Sequence, residues 1–206
     1  MKPEDKQRYG EDDGDLIIHG VLTLETEGPE ETRALGVYLA EKLEAGDFIA
    51  LDGELASGKT CLVQGLAEGL GYRGQATSPT FTLLHLYEGG RLPLYHFDVY
   101  RLVSPDELEG LGYEEYFYGD GVCAVEWSGL TRDYLPARRI GIQLEQTGGA
   151  HNPETGSEKR RITVRLYGGD EAWRRERFVA IRRLLDEWRT DVKTKQTGEY
   201  HADSGD

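Results

Sequence analysis

A chain of 206 residues with 38% hydrophobic content can form one domain with a core of about 150 residues plus appended tails. Its 38 acidic and 24 basic residues give a formal net charge of −14, which disfavours unaided binding to a nucleic-acid backbone. The two cysteines, Cys61 and Cys123, are too few for a disulfide framework and fit a reducing, cytoplasmic setting, and no stretch approaches the ~18 apolar residues of a membrane span.

The charge is uneven. Residues 1–158 hold 12 Lys+Arg against 29 Asp+Glu, whereas residues 159–189 hold 10 against 5. An acidic body thus carries one basic segment, through which contact with RNA or a partner protein stays open.

In chain order, residues 1–15 read as a disordered acidic leader without a secretory h-region. Leu16 to Glu25 alternates as a strand, and Pro29 to Leu43 reads as a helix with proline at its first turn and Gly46 beyond its end. Phe48 to Leu51 is a short apolar run typical of a buried parallel strand. A glycine loop follows, then a helix from Lys59 to Leu70 closed by Gly71. Arg73 to Thr80 is a loop; Phe81 to Tyr87 and Leu92 to Val99 read as a hairpin across Glu88-Gly89-Gly90-Arg91. Ser104-Pro105-Asp106-Glu107 resembles a helix start, and Val122 to Val125 is another buried strand. Ile140 to Leu144 and Ile162 to Leu166 alternate as an antiparallel pair joined by residues 148–159. Asp170 to Arg189 reads as an amphipathic helix, with Phe178, Ile181, Leu185 and Trp188 on one face, before a polar tail. The expected fold is α/β of the P-loop NTPase kind: a mainly parallel central sheet with antiparallel additions and flanking helices. Its domain would span residues 16–168, with a basic helix at 169–190 and a disordered tail at 191–206.

Chemistry concentrates at Gly53-Glu54-Leu55-Ala56-Ser57-Gly58-Lys59-Thr60, which matches the phosphate-loop pattern between an apolar strand and a helix. Gly53 and Gly58 let the backbone curl its amides inward, and the helix beginning at Lys59 adds its positive end. Lys59 suits a bridge between β- and γ-phosphates, and the Thr60 hydroxyl suits Mg²⁺. Ala56, Ser57 and Cys61 complete the set expected to line the nucleotide. The guanine-reading Asn-Lys-x-Asp pattern is absent, so ATP is the expected ligand. Asp98 and Glu126 end apolar runs, where an acid lies beside a phosphate loop and can hold the metal or orient an attacking water; either could instead be a surface acid. Thr80 sits in a loop able to close over the γ-phosphate.

Five stretches in order resemble the TsaE (YjeE) family: Glu25-Thr26-Glu27 with Glu30-Glu31-Thr32, the phosphate loop, Ser78-Pro79-Thr80-Phe81, His96-Phe97-Asp98-Val99-Tyr100-Arg101-Leu102, and Val125-Glu126-Trp127. The resemblance covers roughly residues 20–168. It implies an ATPase in the making of threonylcarbamoyladenosine in tRNA, with Thr60 and Glu126 at the Mg²⁺, Asp98 supporting hydrolysis and Ser78-Pro79-Thr80 as a switch loop. It also implies work beside the threonylcarbamoyl-transfer enzyme TsaD and its dimer partner TsaB, with tRNA met indirectly or through the basic helix. The chain departs from the family pattern at Ala56, Cys61 and Ser128, and Ala56 must keep a negative φ or be strained.

Other residues carry two readings each. Trp127 stacks on a partner or is core. His96 and His85, with no Cys or His at ligand spacing, read as structural. Cys61, on a first helical turn beside a lysine, is an inert small residue or a thiol of lowered pKa. Arg101 neutralises Asp98 or reaches a phosphate. Arg174, Arg175, Arg177, Arg182, Arg183 and Arg189 form a solvated face or a contact for tRNA or partner. A small-molecule kinase is the competing function, with Arg132, Arg138 and Arg139 as its only candidates for a lid; a module that binds ATP without hydrolysing it is a third. The Glu25–Gly28 region is a candidate to meet adenine.

Overall fold

The computed structural model describes residues 20–79, 81–147 and 158–199, with side chains up to residue 192. The leader, residues 16–19 of the first expected strand, Thr80, most of the 148–159 connection and residues 200–206 lie outside the described residues.

The elements run β1 (Val21–Thr26), α1 (Pro29–Ala40), β2 (Phe48–Gly53), α2 (Lys59–Gly69), β3 (Leu84–Tyr87), β4 (Leu94–Asp98), α3 (Glu107–Gly110), α4 (Tyr113–Phe117), β5 (Val122–Glu126), a 3₁₀ segment (Ser128–Tyr134), β6 (Arg139–Gln146), β7 (Arg160–Tyr167) and α5 (Glu171–Glu199). Seven strands form one sheet in the order β1-β7-β6-β2-β5-β4-β3. Its centre, β6-β2-β5-β4, is parallel, and β3 on one side and β7 with β1 on the other add antiparallel edges. Strands β2 and β5 read as unbroken apolar runs because both their faces are covered. One face packs on α1, α2 and α5 through Leu35, Leu62, Leu66, Leu184 and Trp188; the other packs on α3 and α4 through Phe97, Leu108 and Phe117.

Several boundaries differ from the sequence reading. α1 ends at Ala40, three residues early, although Leu43 is still buried. β3 begins at Leu84, because Pro79 closes a turn instead: its carbonyl accepts from Thr82 N at 3.0 Å and Leu83 N at 2.7 Å, and Leu83 takes φ 64°. Phe81, expected inside a strand, is 85% exposed. The helix start read at Ser104-Pro105-Asp106-Glu107 is realised as a capped turn, with Glu107 Oε1 accepting from Val103 N (2.9 Å) and Ser104 N (3.1 Å), and α3 is only one turn long.

α5 runs to Glu199, past the Arg189 end read from the pattern. Its apolar stripe joins the main core through Ile181, Leu184, Leu185 and Trp188. The reading of its arginines as a solvated face fails at two positions, Arg177 and Arg174. Arg177 is buried and donates to both Asp47 carboxylate oxygens (2.8 and 2.7 Å), to Glu44 (3.1 Å) and to the Lys42 carbonyl. Half-buried Arg174 donates to the carbonyls of Gly168 and Gly169 at 3.0 and 2.6 Å, whereas Arg189 stays exposed while reaching the Thr23 carbonyl of the edge strand β1 at 2.6 Å. The physical reason is packing: a helix that buries its apolar stripe on α1 brings neighbouring arginines onto open carbonyls at element ends. Arg175 and Arg183 do lie exposed, in pairs with Glu171 and Glu187.

Candidate active site

The carboxyl ends of β2, β5 and β4 lie side by side, so register decides what meets there. Leu51 pairs with Glu126 and Glu126 with Asp98, which sets both acids beside the loop that leaves β2. The loop curls through two glycines in positive φ, Gly53 (146°) and Gly58 (103°), and through Ala56 at φ 62°. Ala56 is therefore the strained residue, at a cost of roughly 1–2 kcal/mol for a side chain in the left-handed region. A Cβ on Gly53 would come within 2.2 Å of the Leu144 carbonyl, which makes glycine obligatory there.

At the start of α2 the amides of Gly58, Lys59, Thr60 and Cys61 find no acceptor among the described residues. They are the unsatisfied donors of a helix N-terminus, gathered by the loop into one anion-receptive cup. Lys59 is 4% exposed; its ammonium donates to the carbonyls of Gly53 (2.9 Å) and Glu54 (2.8 Å), lies 3.4 Å from Ser57 Oγ, and sits 3.9 Å above the Trp127 ring. Burial lowers its pKa below the usual lysine value, against the pull of Glu126, Asp52 and Asp98.

Thr60 Oγ1 donates to both oxygens of Glu126, at 2.8 and 3.1 Å. Glu126 is 3% exposed and also meets His96 Nε2 at 2.8 Å. Asp98, 5% exposed, accepts from Ser78 Oγ at 3.3 Å and from Tyr100 N at 3.2 Å. The structure thus brings together Gly53, Ala56, Ser57, Gly58, Lys59, Thr60, Asp98 and Glu126, with Cys61 one step along α2; Thr80 lies outside the described residues. Burial pushes the Cys61 thiol up, so a thiol of lowered pKa is not what this environment makes.

Of the two readings of Trp127, the structure bears out core: half-buried against the second cluster, it takes φ 64°, stacks 4.7 Å from Tyr100 and lies beneath the Lys59 ammonium. Arg101 covers the Phe81 ring at 4.5 Å. Of the arginines weighed as a lid, Arg138 stacks on Trp173 and Arg139 on Tyr167, while Arg132 lines a small cavity beside Asp52, on the side of β2 turned to Ser128. Glu25 to Gly28 ends β1 beside the loop, for Thr26 bonds Thr32 at 2.8 Å and the Thr32 methyl lies 3.5 Å from where a Gly58 Cβ would be.

Two residues, Arg160 and Asp52, escaped the sequence reading, as did the partner of a third, His96. Arg160 on β7 is buried against the loop; its Nε donates to the Ser57 carbonyl at 3.2 Å and would lie 2.9 Å from a Gly58 Cβ. Only the sheet order, with β7 swung back beside β6, brings residue 160 to residue 57. Asp52 accepts from Ser128 Oγ (2.6 Å) and Gly129 N (3.0 Å), bracing the backbone that follows Glu126, while burial raises its pKa. His96 is structural, as read, and what it holds is Glu126; its position two residues before Asp98, hence on the same strand face, was the available signal for that partner.

This arrangement matches a known group of proteins. The family model described as threonylcarbamoyl adenosine biosynthesis protein TsaE matches residues 26–155. The chain belongs to the TsaE family. The tRNA threonylcarbamoyladenosine biosynthesis protein TsaE of Bacillus subtilis (strain 168) is 46% identical over 147 residues, covering 71% of this chain and 87% of that protein. The protein of the same name from Treponema pallidum is 47% identical over 115 residues, covering 56% of this chain and 84% of its own length. The crystal structure of Bacillus subtilis YdiB superposes with a TM-score of 0.61 at 34% identity, covering 85% of this chain and 97% of YdiB. The family match ends before β7 and α5, so Arg160 and the Arg177–Asp47 contact fall partly or wholly outside it. Among the described residues no helix is long and apolar enough to cross a membrane.

Proposed function

We propose that this TsaE-family chain is a Mg²⁺-dependent ATPase of the cytoplasm, serving threonylcarbamoyladenosine formation at position 37 of tRNA alongside TsaD-like and TsaB-like partners. The observation that carries the reading is the Thr60–Glu126 contact at 2.8 Å, set at the amide-rich start of α2 beside Lys59. A hydroxyl and a carboxylate at the mouth of an anion cup are the oxygen donors a hard cation prefers when phosphates complete its shell. The acids fit too: Asp98 and Glu126, buried side by side at their strand ends near Lys59, supply carboxylate oxygens where a cation would meet the phosphates.

Mg²⁺ bound there supplies neutralisation of the charge that develops on the phosphate oxygens. The chain's own groups do the rest. The loop amides and Lys59 hold the β- and γ-phosphates, Lys59 exchanging its carbonyl partners for phosphate oxygens. Asp98, with Ser78 and the Tyr100 amide on its oxygens, orients the water that bonds to the γ-phosphorus as the β–γ bridging bond breaks. TsaE-family membership supports the pathway, and the threonylcarbamoyl chemistry is assigned to the partners.

Calorimetric titration with Mg-ATP beside phosphate release tests this. Glu126→Ala is expected to lower turnover by about 100-fold or more while ATP affinity changes far less, as for loss of a group acting mainly in the transition state. Normal turnover in that variant would defeat the role given to Glu126. For the pathway, tRNA modification is reconstituted with TsaD and TsaB over many turnovers, and equal yields with and without this chain would remove the assignment.

A further inference from the structure

Behind Glu126 the hydrogen bonds continue. Tyr87 Oη donates to the Thr77 carbonyl at 2.5 Å. A phenol has one hydrogen, so at its second contact, His96 Nδ1 at 3.2 Å, the Tyr87 oxygen can only accept, and Nδ1 carries a hydrogen. His96 Nε2 faces Glu126 Oε1 at 2.8 Å with one hydrogen between them, and Thr60 Oγ1 donates to the same carboxylate. Tyr87, His96 and Glu126 are 4%, 1% and 3% exposed, so the row is shielded from water along its length.

We propose that His96 and Tyr87 are positioning residues for the Glu126 carboxylate, tying its orientation to the backbone that leads into Ser78-Pro79. That backbone is itself anchored to the site twice. Gln64, one turn along α2 from Thr60, donates to the Ala76 carbonyl at 3.0 Å, and Ser78 donates to Asp98 at 3.3 Å. A shift of residues 76–78 therefore reaches Glu126 through Tyr87 and His96, and reaches Asp98 through Ser78. A carboxylate held by a buried imidazole loses the rotamers that would carry it away from Thr60, and groups behind a metal-holding residue set its affinity by orienting it. The inference rests on the proposed function only in taking Glu126 to hold the metal.

Phosphate release is measured against Mg²⁺ concentration at saturating ATP for wild type, Tyr87→Phe, His96→Leu and His96→Gln. His96→Leu is expected to raise the Mg²⁺ half-saturation by about 10-fold, the scale on which partners behind a metal ligand act. Tyr87→Phe, which keeps its ring against Tyr72 and His96, shows a smaller rise in the same direction. His96→Gln, whose amide can still donate to Glu126, falls between wild type and His96→Leu. In all three, ATP affinity in EDTA stays at the wild-type value and turnover recovers at high Mg²⁺. A purely structural role lowers the Tm and leaves the Mg²⁺ half-saturation of every variant at wild type; that result overturns the proposal. If the wild-type chain neither binds nor hydrolyses Mg-ATP, the proposed function fails and the row is read without nucleotide, from the ¹⁵N resonances of the His96 ring. A hydrogen on Nδ1 in wild type, with both ring resonances moving in Tyr87→Phe, supports it, and a hydrogen on Nε2 alone overturns it.

Discussion

Two clusters of buried charge lie at opposite ends of β2, and they are built differently. Where α5 meets the turn before β2, Arg177 is enclosed by Asp47, Glu44 and the Lys42 carbonyl, so a buried cation meets its counter-charge and little is left over. At the phosphate loop, Lys59 is buried among carbonyls with Glu126, Asp52 and Asp98 around it and Arg160 behind the loop, and a row of amides has no acceptor among the described residues. A matched cluster joins one element to another. An unmatched one, with amides that lack acceptors beside buried carboxylates, is completed by a ligand that brings an anion and a cation together. The contrast separates stability from binding before any assay is run.

Substitutions at the two clusters should split along that line. The largest effect is expected from Lys59→Ala, which removes the charged donor between phosphates and costs about 3–6 kcal/mol of nucleotide affinity if two charge-assisted bonds are lost, beyond reach of calorimetry. Circular dichroism should show a retained fold; ATP binding within about 10-fold of wild type would contradict the unmatched-site reading.

Arg177→Ala should do the reverse, lowering unfolding free energy by about 3–5 kcal/mol in denaturant titrations because Asp47 is left buried and unpaired, with ATP affinity unchanged below the transition. Burial already raises the Asp47 carboxyl even with Arg177 opposing it, so the folded state holds that proton more tightly than the unfolded chain. Stability from this group is present below the ordinary carboxylate range and is lost as pH rises through the raised value. Removing Arg177 raises it further. The gap between wild type and variant should therefore be widest at neutral pH and narrow on acidification; a pH-independent gap would argue that packing, not charge, is what Arg177 contributes. Deleting residues 169–206 would expose the face now covered by Leu184, Leu185 and Trp188, so loss of partner contact in such a chain would not separate contact from folding. Reversing Arg182 and Arg183, both exposed, probes partners without opening the core.

The unmatched cluster was mostly legible in the sequence and the matched one was not. Gly53, Gly58, Lys59 and Thr60 lie within eight residues, and their chemistry depends on local backbone curl, which a motif records. Asp98 and Glu126 could be read because each ends an apolar run, and parallel strands with their runs aligned bring those ends to one edge. Arg177–Asp47 and Arg160–Ser57 join residues 130 and 103 positions apart, through a helix and a strand whose place follows from the whole sheet order. No local period encodes such a meeting. His96 fell between these cases: its face was readable, its partner was not. Leu83 and Phe81 show the converse, where apolar, strand-like residues were overruled by the turn that Pro79 closes.

The smallest effect is expected at Ala56, and it bears on how the unmatched cluster is kept ready. Its φ of 62° falls where a Cβ is strained, yet the conformation is fixed from outside: the Ala56 carbonyl accepts from Gln146 Nε2 at 3.0 Å, and Arg160 grips the next carbonyl. Glycine would remove the strain, roughly 1–2 kcal/mol, but would add freedom to the unfolded chain worth about 0.5–1 kcal/mol. Ala56→Gly should therefore stabilise the chain by about 0.5–1 kcal/mol, a Tm rise of ~1–3 °C, measurable by calorimetry. ATP affinity should stay near wild type, because the amides are aimed by Gly53, Gly58 and Arg160 rather than by the residue between them. A loss of affinity with no gain in Tm would mean that the alanine side chain itself restricts the loop to its anion-receiving shape, and the strain would then belong to binding rather than to history.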